Sequence, residues 1–363
     1  MSYHIFVADV HVGNPRRFGG EMRLSMNDRC RMILSTLRGA YKIAKQHDAA
    51  SFNVLGDLFD NPNPNPRMVA AVQEIFAIDD EMTKRVLLGN HDPNSTERGD
   101  HALAPLLDHA EVIEGAEVIE LAPGLDMIAV PFGPGPLEDR VPLSKGRGSI
   151  LAFHAGISDA HTAPWLIGHG DSIDVDDLRA LMKKREISRA FCGHWHNHRL
   201  WDESRIVQIG ALCPTGWNNP GLSDYGRVLI YDDDADAVTY VTVPGPRFIQ
   251  VRVDDASSDW KQMEEPSAKA QREGNTLFLQ MAVPMDRVPE FMRLKDEHRG
   301  RYHVVDIVPD RAEAEVAARA AAQATQSVDL LSEAVVAYGS NMDLPEDVSR
   351  KSVIRQIRRY LNV

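Results

Sequence analysis

The sequence predicts a layered α/β protein, on the basis of three observations. Short apolar runs alternate with helical spacings through the first two thirds of the chain, as in strands connected by helices. Helical spacings then disappear after about residue 200, where strand-like runs follow one another. Finally, the composition becomes polar near Asp254, which indicates a boundary before a smaller unit.

Nine apolar runs carry the strand prediction. In chain order they are HIFVA, SFNVL, RVLL, MIAV, SILAF, RAFC, IVQI, RVLIY and VTYVTV. Residues 27–46 and 67–82, which lie between early runs, carry apolar residues at helical spacing, as Ile33 and Leu37 illustrate. Strands and helices therefore alternate in the first part of the chain.

The length of 363 residues predicts more than one part, because single cores stop growing at about 250 to 300 residues. We expect a first domain over residues 1–255 and a small α+β unit over residues 256–311, built from NTLFLQMAV, DRVPEFMRLKDEH and YHVVDIV. Residues 312–363 predict a pair of amphipathic helices. Their apolar stripe suits a partner protein and also suits packing on the chain's own domain.

The net charge of −13 argues against nonspecific binding of nucleic acid by the whole surface, although local basic patches remain compatible with it. It also suits a site of carboxylates that cations neutralise. The three scattered cysteines exclude a disulfide framework and a thiolate zinc cluster within one chain. We expect a cytoplasmic protein without a membrane span, because no apolar run approaches about 18 residues and MSYHIFVADVHVG does not resemble a signal peptide.

Metal-binding residue types follow five of the apolar runs. His194 and His196 alternate, so an extended chain would point both to one side, but this pair alone is a weak signal. Strand ends are where α/β sheets assemble their sites. The candidates at the five strand ends are Asp9, His11, Asp57, Asn90, His91, Asp92, His154, His194 and His196.

The chemistry of this set indicates a transition-metal site. Imidazole, carboxylate and one amide oxygen, without thiolate, suit manganese, iron or zinc better than a structural zinc site or an all-oxygen cage. The candidates are too many for one ion and fit two ions that share Asp57. Two cations about 3.5 to 4 Å apart can bind a phosphoryl oxygen, activate a nucleophile and stabilise the transition state.

Three glycines, Gly56, Gly89 and Gly193, each stand just before candidate ligands. We expect sharp turns there, at places where a side chain would crowd the site. Each alone is equally explained by an ordinary turn at the end of a strand, and only the shared position before ligands favours the functional interpretation.

These residues form five motifs that resemble the calcineurin-like metallophosphoesterase superfamily, with its pattern DxH, GDxxD, GNHD or GNHE, a lone His, and GHxH. They stand here as Asp9-Val10-His11, Gly56-Asp57-Leu58-Phe59-Asp60, Gly89-Asn90-His91-Asp92, His154, and Gly193-His194-Trp195-His196. The resemblance implies a four-layer sandwich in which two mixed β-sheets are flanked by helices, followed by a small cap domain and a helical pair.

The resemblance also implies roles for the residues. Asp9, His11, Asp57 and His196 would hold one metal, and Asp57, Asn90, His154 and His194 the other. His91 would be the acid that protonates the leaving oxygen, and Asp92 would orient its ring.

Within the superfamily, the chain looks most like the SbcD family of nuclease subunits. GDLFDNPNPNP and GNHD resemble that family's motifs, the order of parts matches, and SVDLLSEAVVAY resembles its helix-loop-helix. This implies a DNA exonuclease or endonuclease of recombination or double-strand-break repair that uses two Mn²⁺ ions. It also implies an SbcC/Rad-type SMC-like ATPase partner on the C-terminal helices, a homodimer, and a place near the nucleoid or, for a viral protein, in the host cytoplasm. Archaeal and eukaryotic relatives carry a histidine in place of Asp60, so its role is not transferred.

Four further residues are candidate substrate contacts. Arg16 and Arg17 could hold DNA phosphates near the metals, although loop arginines are often only solvated. Trp195 stands where the family usually has a small aliphatic residue, and either packs beneath the strand end or forms part of the substrate wall. His198 could contact the substrate, and its spacing gives it no metal role.

Two other functions stay open at this point. One is a small-molecule phosphodiesterase, for example on cyclic nucleotides, or a phosphatase of the same superfamily, acting alone; the acidic composition favours it slightly. The other is a scaffold whose metal site has decayed, which the intact set of ligands argues against.

Overall fold

The structure is a computed structural model. It describes residues 2–78, 81–144, 148–162, 172–217, 226–253, 264–297 and 302–310, together with positions 349, 351, 353 and 354. Apart from those four positions, the helix pair predicted for residues 312–363 lies outside the described residues.

Two six-stranded mixed sheets form the main body. The first sheet has the spatial order β14 (Ala237–Thr242), β13 (Arg227–Asp232), β1 (Tyr3–Val7), β2 (Ser51–Val54), β3 (Thr83–Leu87) and β4 (Glu111–Ile113). The second has the order β11 (Arg199–Trp201), β12 (Ile206–Gln208), β10 (Arg189–Gly193), β7 (Gly148–His154), β6 (Leu125–Val130) and β5 (Glu117–Ala122). Strands β1 to β4 of the first sheet are parallel to one another, as are β6, β7, β10 and β12 of the second.

Helices cover the outer faces of both sheets. The helices of the main body are α1 (Asp28–Gln46), α2 (Pro66–Phe76), α3 (Leu137–Arg140) and α4 (Val175–Arg185). Asn27, Asn65 and Asp174 cap α1, α2 and α4 by accepting hydrogen bonds from backbone amides of the first turn. Short 3₁₀ turns occupy Ala104–Leu106 and Met285–Arg287. A two-stranded parallel ribbon, β8 (Gly156–Ser158) and β9 (Ser172–Asp174), precedes α4.

The alternation of side chains along each strand builds the layers. In β1, Ile5 and Val7 pack with α1 and α2, whereas Phe6 faces the second sheet. Phe191 of β10 reaches Phe6 from the other side, with ring centroids 5.1 Å apart. Beyond the second sheet, Leu151 packs in a further core with α4. The order helix, sheet, sheet, helix confirms the predicted four-layer sandwich.

A third sheet forms the small unit. Its strands β15 (Pro246–Arg252), β16 (Thr276–Val283) and β17 (Val304–Pro309) are all parallel, and the helices α5 (Glu264–Arg272) and α6 (Val288–Glu297) accompany them. The predicted strand-helix-strand unit is therefore present as β16, α6 and β17. Two details differ from expectation: β15 pairs with this sheet although it precedes residue 256, and α5 forms in the polar stretch after Asp254, which predicted only a boundary. Pairing of β15 with β16 is long-range, so the local sequence does not reveal it.

Arg29 of α1 links the small unit to the main body. It is 1 % exposed, and its guanidinium donates to the carbonyl oxygens of Pro214 and Thr215 at 2.9 and 3.2 Å. The same group lies 4.8 Å from the ring centroid of Phe248 and 5.7 Å from that of Phe278, in β15 and β16. The small sheet therefore packs beside the first turn of α1, next to the segment that follows β12.

All nine predicted apolar runs form strands, and the two predicted helices are confirmed as α1 and α2. Helix α4 and the β8–β9 ribbon were not predicted from the sequence. Of the helices that the structure describes, none combines the length and the apolar character needed to cross a bilayer.

Candidate metal centre

Five strand ends meet at one edge of the sandwich. The strands β1, β2 and β3 run parallel in the first sheet, and β7 and β10 run parallel in the second, so their carboxyl ends lie together. Three overlapping groups of side chains place their ligand atoms within 4.8 Å of one another. The groups are Asp9, His11 and His196; His11, Asp57 and His91; and Asp57, His154 and His194.

The backbone at the ligands is strained. Asp9, His11 and Asp57 have φ values of 50°, 51° and 50°, and His194 has 90°. This left-handed region is uncommon for residues other than glycine and costs on the order of 1–3 kcal/mol each. The strain turns the chain sharply after each strand, so that ligands close in sequence point toward one volume.

Glycine is required beside these ligands because their side chains fill the space. A Cβ atom on Gly89 would lie 2.1 Å from Asp57 Oδ1, and one on Gly56 would lie 2.0 Å from His154 Nδ1. A Cβ atom on Gly193 would lie 2.4 Å from the Leu55 carbonyl oxygen. Crowding at these glycines was expected from the sequence, and in the structure it comes from the ligand side chains and the Leu55 carbonyl oxygen.

The first ligand group joins the two sheets. The Nε2 atoms of His11 and His196 lie 3.0 Å apart. Two ligands of one ion, each with a bond of about 2.1 Å, are separated by roughly this distance at right angles. Both carboxylate oxygens of Asp9 accept from the backbone N–H of His194 at 3.0 Å, which fixes that carboxylate beside the pair.

The second group forms around an amide oxygen. Asn90 Oδ1 lies 3.0 Å from His154 Nε2 and 2.8 Å from His194 Nδ1. The other ring nitrogen of His154 donates to the Leu55 carbonyl oxygen at 2.7 Å. That bond leaves Nε2 as the ligand atom, in the usual arrangement for a metal-binding histidine.

Asp57 lies between the two groups. Its Oδ2 atom is 3.8 Å from His11 Nε2 and 3.4 Å from His154 Nε2, and its Oδ1 accepts from the His91 backbone N–H at 2.8 Å. The side chain is 2 % exposed. A single buried carboxylate is thus shared by both groups, which is the geometry that a bridging ligand requires.

The residues fit divalent cations. Nitrogen and oxygen donors converge without a thiolate, and two ring nitrogens face each other at 3.0 Å. Cys192, the cysteine of β10, is buried, and burial raises its pKa well above the ordinary value, so it does not supply a thiolate.

Burial and mutual charge move the pKa values of the ligands in opposite directions. Burial raises the pKa of Asp9 to about 6 and lowers that of His196 to about 3. For His154, burial acts downward, but the Asp57 carboxylate outweighs it and raises the pKa to about 9. For Asp57, burial acts upward, but the positive charges of His154 and His11 outweigh it and hold the pKa below its usual range. Such divergence is typical of functional sites.

His91 lies beside the ligands, with its ring 4.8 Å from that of His11 between centroids. Its Nδ1 atom donates to the backbone carbonyl oxygen of Asp60 at 2.9 Å, which leaves Nε2 for other contacts. The expected role of Asp92 differs in the structure. Its carboxylate accepts from the backbone N–H groups of Gly89 and Phe59, at 2.9 and 3.3 Å, and so ties the second motif to the third. The His91 ring is oriented by the backbone carbonyl oxygen of Asp60, and the Asp92 side chain is fully buried.

The candidate substrate contacts differ in exposure: the two arginines are exposed, and Trp195 is buried. Arg16 and Arg17 are exposed and line a cavity of about 280 Å³ that also includes His11 and Asp60. Trp195 is 5 % exposed and packs so closely on Gly156 that a Cβ there would lie 2.2 Å from its ring. In the structure Trp195 therefore packs beneath the strand end, which is one of the two positions expected for it.

His198 lies apart from the three ligand groups. Its Nδ1 donates to the Ile209 carbonyl oxygen at 3.1 Å, and its ring packs edge-on against Tyr240. These two contacts place His198 beside the end of β12 and against β14.

Two residues of the site were missed from the sequence. The Asp60 carboxylate lies 3.5 Å from His11 Nδ1, behind the ligand ring; its place in the second motif is the signal that could have indicated this. Phe132 lies with its ring centroid 6.4 Å from that of His194 at an interplanar angle of 29°. Its signal is the position just after the strand run MIAV, at the same sheet edge.

The fold and this centre define a layered α/β protein with clusters of histidine and aspartate that could hold metal ions. The sequence profile of the calcineurin-like phosphoesterase family matches residues 5–198, more than half of the chain. The chain therefore belongs to the calcineurin-like phosphoesterase family, whose members hydrolyse phosphoester bonds with divalent metals.

Comparison with curated proteins gave no match. Among solved structures, TT1561 of Thermus thermophilus is 13% identical, and the alignment covers 66% of this chain and 98% of that chain with a TM-score of 0.40. A conserved uncharacterized protein of Streptococcus pneumoniae, described as a predicted phosphoesterase, is also 13% identical, with 66% and 89% covered and a TM-score of 0.31. The family membership rests on the sequence profile and not on these likenesses.

Proposed function

We propose that the protein is a phosphodiesterase that binds two divalent transition-metal ions, with Mn²⁺ the expected metal, and cleaves DNA as an exonuclease or endonuclease. The observation that carries this proposal is the position of Asp57 between the His11–His196 pair and the His154–Asn90 pair. When bound, two such ions supply a water-derived nucleophile and neutralise the charge of the transition state.

The protein groups have separate tasks in this reaction. Asp57, buried and shared, sets the spacing of the two ligand groups. His91 points its Nε2 away from the Asp60 carbonyl oxygen and is placed to give a proton to the leaving oxygen. Asp92 keeps the second and third motifs in register through its two backbone contacts.

Arg16 and Arg17 support a nucleic-acid substrate. Both are exposed on the cavity that begins at His11, although the chain as a whole is acidic. Arg17 also donates to Asp306 of β17 at 3.2 Å, so the small unit borders the same side of the centre. Contacts from arginine to phosphates hold a nucleic acid in place without reading its sequence. A pair of exposed arginines beside the centre fits a polymeric phosphodiester better than a small ester.

The proposed setting is DNA recombination or double-strand-break repair together with an SbcC/Rad-type SMC-like ATPase. The C-terminal residues 312–363 would bind that partner, and the active unit would be a homodimer. The alternative is a phosphodiesterase or phosphatase of small nucleotides that acts alone, and the net charge of −13 favours it.

The first test compares three substrates with Mn²⁺ and with EDTA: end-labelled duplex DNA, single-stranded DNA, and the dye ester bis(p-nitrophenyl) phosphate. We expect Mn²⁺-dependent cleavage of all three. An Asp57→Asn variant is the control for contaminating nucleases. Hydrolysis of the dye ester without cleavage of either DNA would favour the small-molecule alternative, and inactivity on all three would contradict a phosphodiesterase.

The partner is tested by titrating a chain that ends at residue 326, and the full chain, with the SMC-like ATPase. We expect the shorter chain to lose binding while it retains dye-ester hydrolysis, which reports that the remaining protein is folded. Equal binding by both chains would contradict a docking role for the C-terminal residues.

A further inference from the structure

A cleft of about 850 Å³ opens beside the metal centre, where Phe132 meets His194. It shares no lining residue with the cavity that carries Arg16 and Arg17, which we call the arginine rim. Its walls come from the loop after the third motif, the end of β4 and the turn after β6. Phe132 stands where the cleft meets the centre, because its ring faces the ligand His194 at a centroid distance of 6.4 Å. The cleft has the volume and the position of a pocket for one part of the substrate.

Phe132 is held in place from behind. Its backbone N–H donates to the Leu88 carbonyl oxygen at 2.9 Å, which ties the turn after β6 to the end of β3 just before the third motif. The ring is half-buried, with one side toward His194 and the rest lining the cleft. A planar group that entered the cleft from the centre would meet this ring first.

The polar groups of the cleft converge at its inner wall. Glu114 accepts from the Gly99 N–H at 2.8 Å and lies 3.6 Å from His101 Nε2. His101 is 6 % exposed, and within the described part of the chain neither of its ring nitrogens makes a hydrogen bond. Buried polar atoms without partners are rare in native proteins and often mark the place where a water or a ligand supplies the bond.

The charge of the cleft excludes further phosphate groups. Glu97, Asp100, Glu114 and Glu117 line it, against Arg98 and His101. The separate cavity at His11 carries Arg16 and Arg17. The two cavities therefore differ in kind: the arginine rim suits phosphates, and the cleft suits an uncharged ring with hydrogen-bonding edges.

We propose that this cleft binds the nucleobase of the nucleotide whose phosphate is cleaved, with the base against Phe132 and its edge toward Glu114 and His101. The inference rests on the proposed phosphodiesterase function and adds a means of recognition to it. A strand end would place its last base in the cleft and its remaining phosphates along the arginine rim. A free nucleotide would present the same base without the further phosphates of a strand.

The test measures kcat/KM on two pairs of substrates, one that differs in the base alone and one that differs in the whole nucleoside. One pair is an oligonucleotide with an ordinary terminal nucleotide and the same oligonucleotide with a terminal abasic residue. The other pair is p-nitrophenyl thymidine 5′-phosphate and p-nitrophenyl methyl phosphate, which releases the same phenolate without a base. We expect the base to raise kcat/KM by about tenfold in each pair, in line with stacking of one base on one aromatic ring.

Two variants localise the effect. Ala116→Trp fills the cleft from its exposed rim, and Ala235→Trp adds the same side chain at an exposed turn of the β13–β14 hairpin, away from the cleft. We expect Ala116→Trp to reduce the preference for the base to near unity and Ala235→Trp to leave it intact. Phe132→Leu, which keeps an apolar side chain, should reduce the preference severalfold.

The outcomes separate the two proposals. If the unmodified protein hydrolyses none of these substrates, including the methyl ester, the proposed phosphodiesterase function is refuted. Hydrolysis without a preference for the base, or a preference that survives Ala116→Trp, would refute the cleft as its binding site. A preference in the oligonucleotide pair alone would identify a strand end as the source of the base, and one in the thymidine pair alone would identify a free nucleotide.

Discussion

The Nε2 atoms of His11 and His196 lie 3.0 Å apart, although 185 positions separate the two residues in the chain. Each belongs to a different sheet, so the contact exists only because the two sheets pack face to face. Both rings belong to a group with Asp9 whose ligand atoms converge on one volume. The pair therefore marks a place where a cation could bind between the two halves of the sandwich.

The shared position of Asp57 predicts the effect of Asp57→Asn. We expect the metal content, measured by elemental analysis, to fall from about two ions per chain to one or none, because an amide bridges two cations poorly. The amide oxygen can still accept from the His91 N–H, so the fold should persist. Asp139→Asn, at an exposed position of α3, is the matched control. Retention of two ions by Asp57→Asn would contradict the bridge.

The position of His91 predicts that His91→Asn lowers kcat by about 10²- to 10⁴-fold while the metal content is unchanged, because a proton donor is lost but no ligand is. The deficit should shrink on esters with good leaving groups, such as p-nitrophenolate, which need no proton. His91 also lies in a group with His11 and Asp57 that could hold an ion. Loss of an ion in His91→Asn would show that it is a ligand instead.

Gly89→Ala tests the close approach of Asp57. The new Cβ would lie 2.1 Å from Asp57 Oδ1 and 2.2 Å from its backbone nitrogen, so the loop must move. We expect weaker metal binding, by at least tenfold in isothermal titration, and a lower melting temperature. Gly216→Ala, where a Cβ meets open space, should change neither. Unchanged affinity in Gly89→Ala would show that the loop adapts and that the close approach is unimportant.

Arg29→Met tests the link between the small unit and the main body. The change leaves the Pro214 and Thr215 carbonyl oxygens without their buried charged donor and removes the contact with Phe248. We expect a loss of about 2–4 kcal/mol in the free energy of unfolding by urea titration. The control is Arg38→Met, because Arg38 forms an exposed ion pair with Glu74 that should contribute little. Equal effects of the two changes would contradict the anchoring role.

Much of the fold was accessible from local patterns. The run HIFVA predicts a buried strand, and β1 is that strand; the spacing of Ile33 and Leu37 predicts α1. By contrast, the sequence placed β15 in the first domain and did not predict α5. Strand β15 pairs with β16 some 30 positions later, which local patterns do not reveal. Helix α5 is short and polar, and its packing on β16 depends on the assembled sheet.

The chain by itself determined which residue types stand at the strand ends, because strand periodicity and motif spacing are local properties of the sequence. Only the tertiary structure decided which atoms converge. The left-handed backbone at Asp9, His11 and Asp57, the placement of Asp57 between two ligand pairs, and the contact of His91 with Asp60 rather than Asp92 all depend on how two sheets pack. The physical reason is that a ligand's direction is set by backbone torsions and by neighbours distant in sequence, which no short segment specifies.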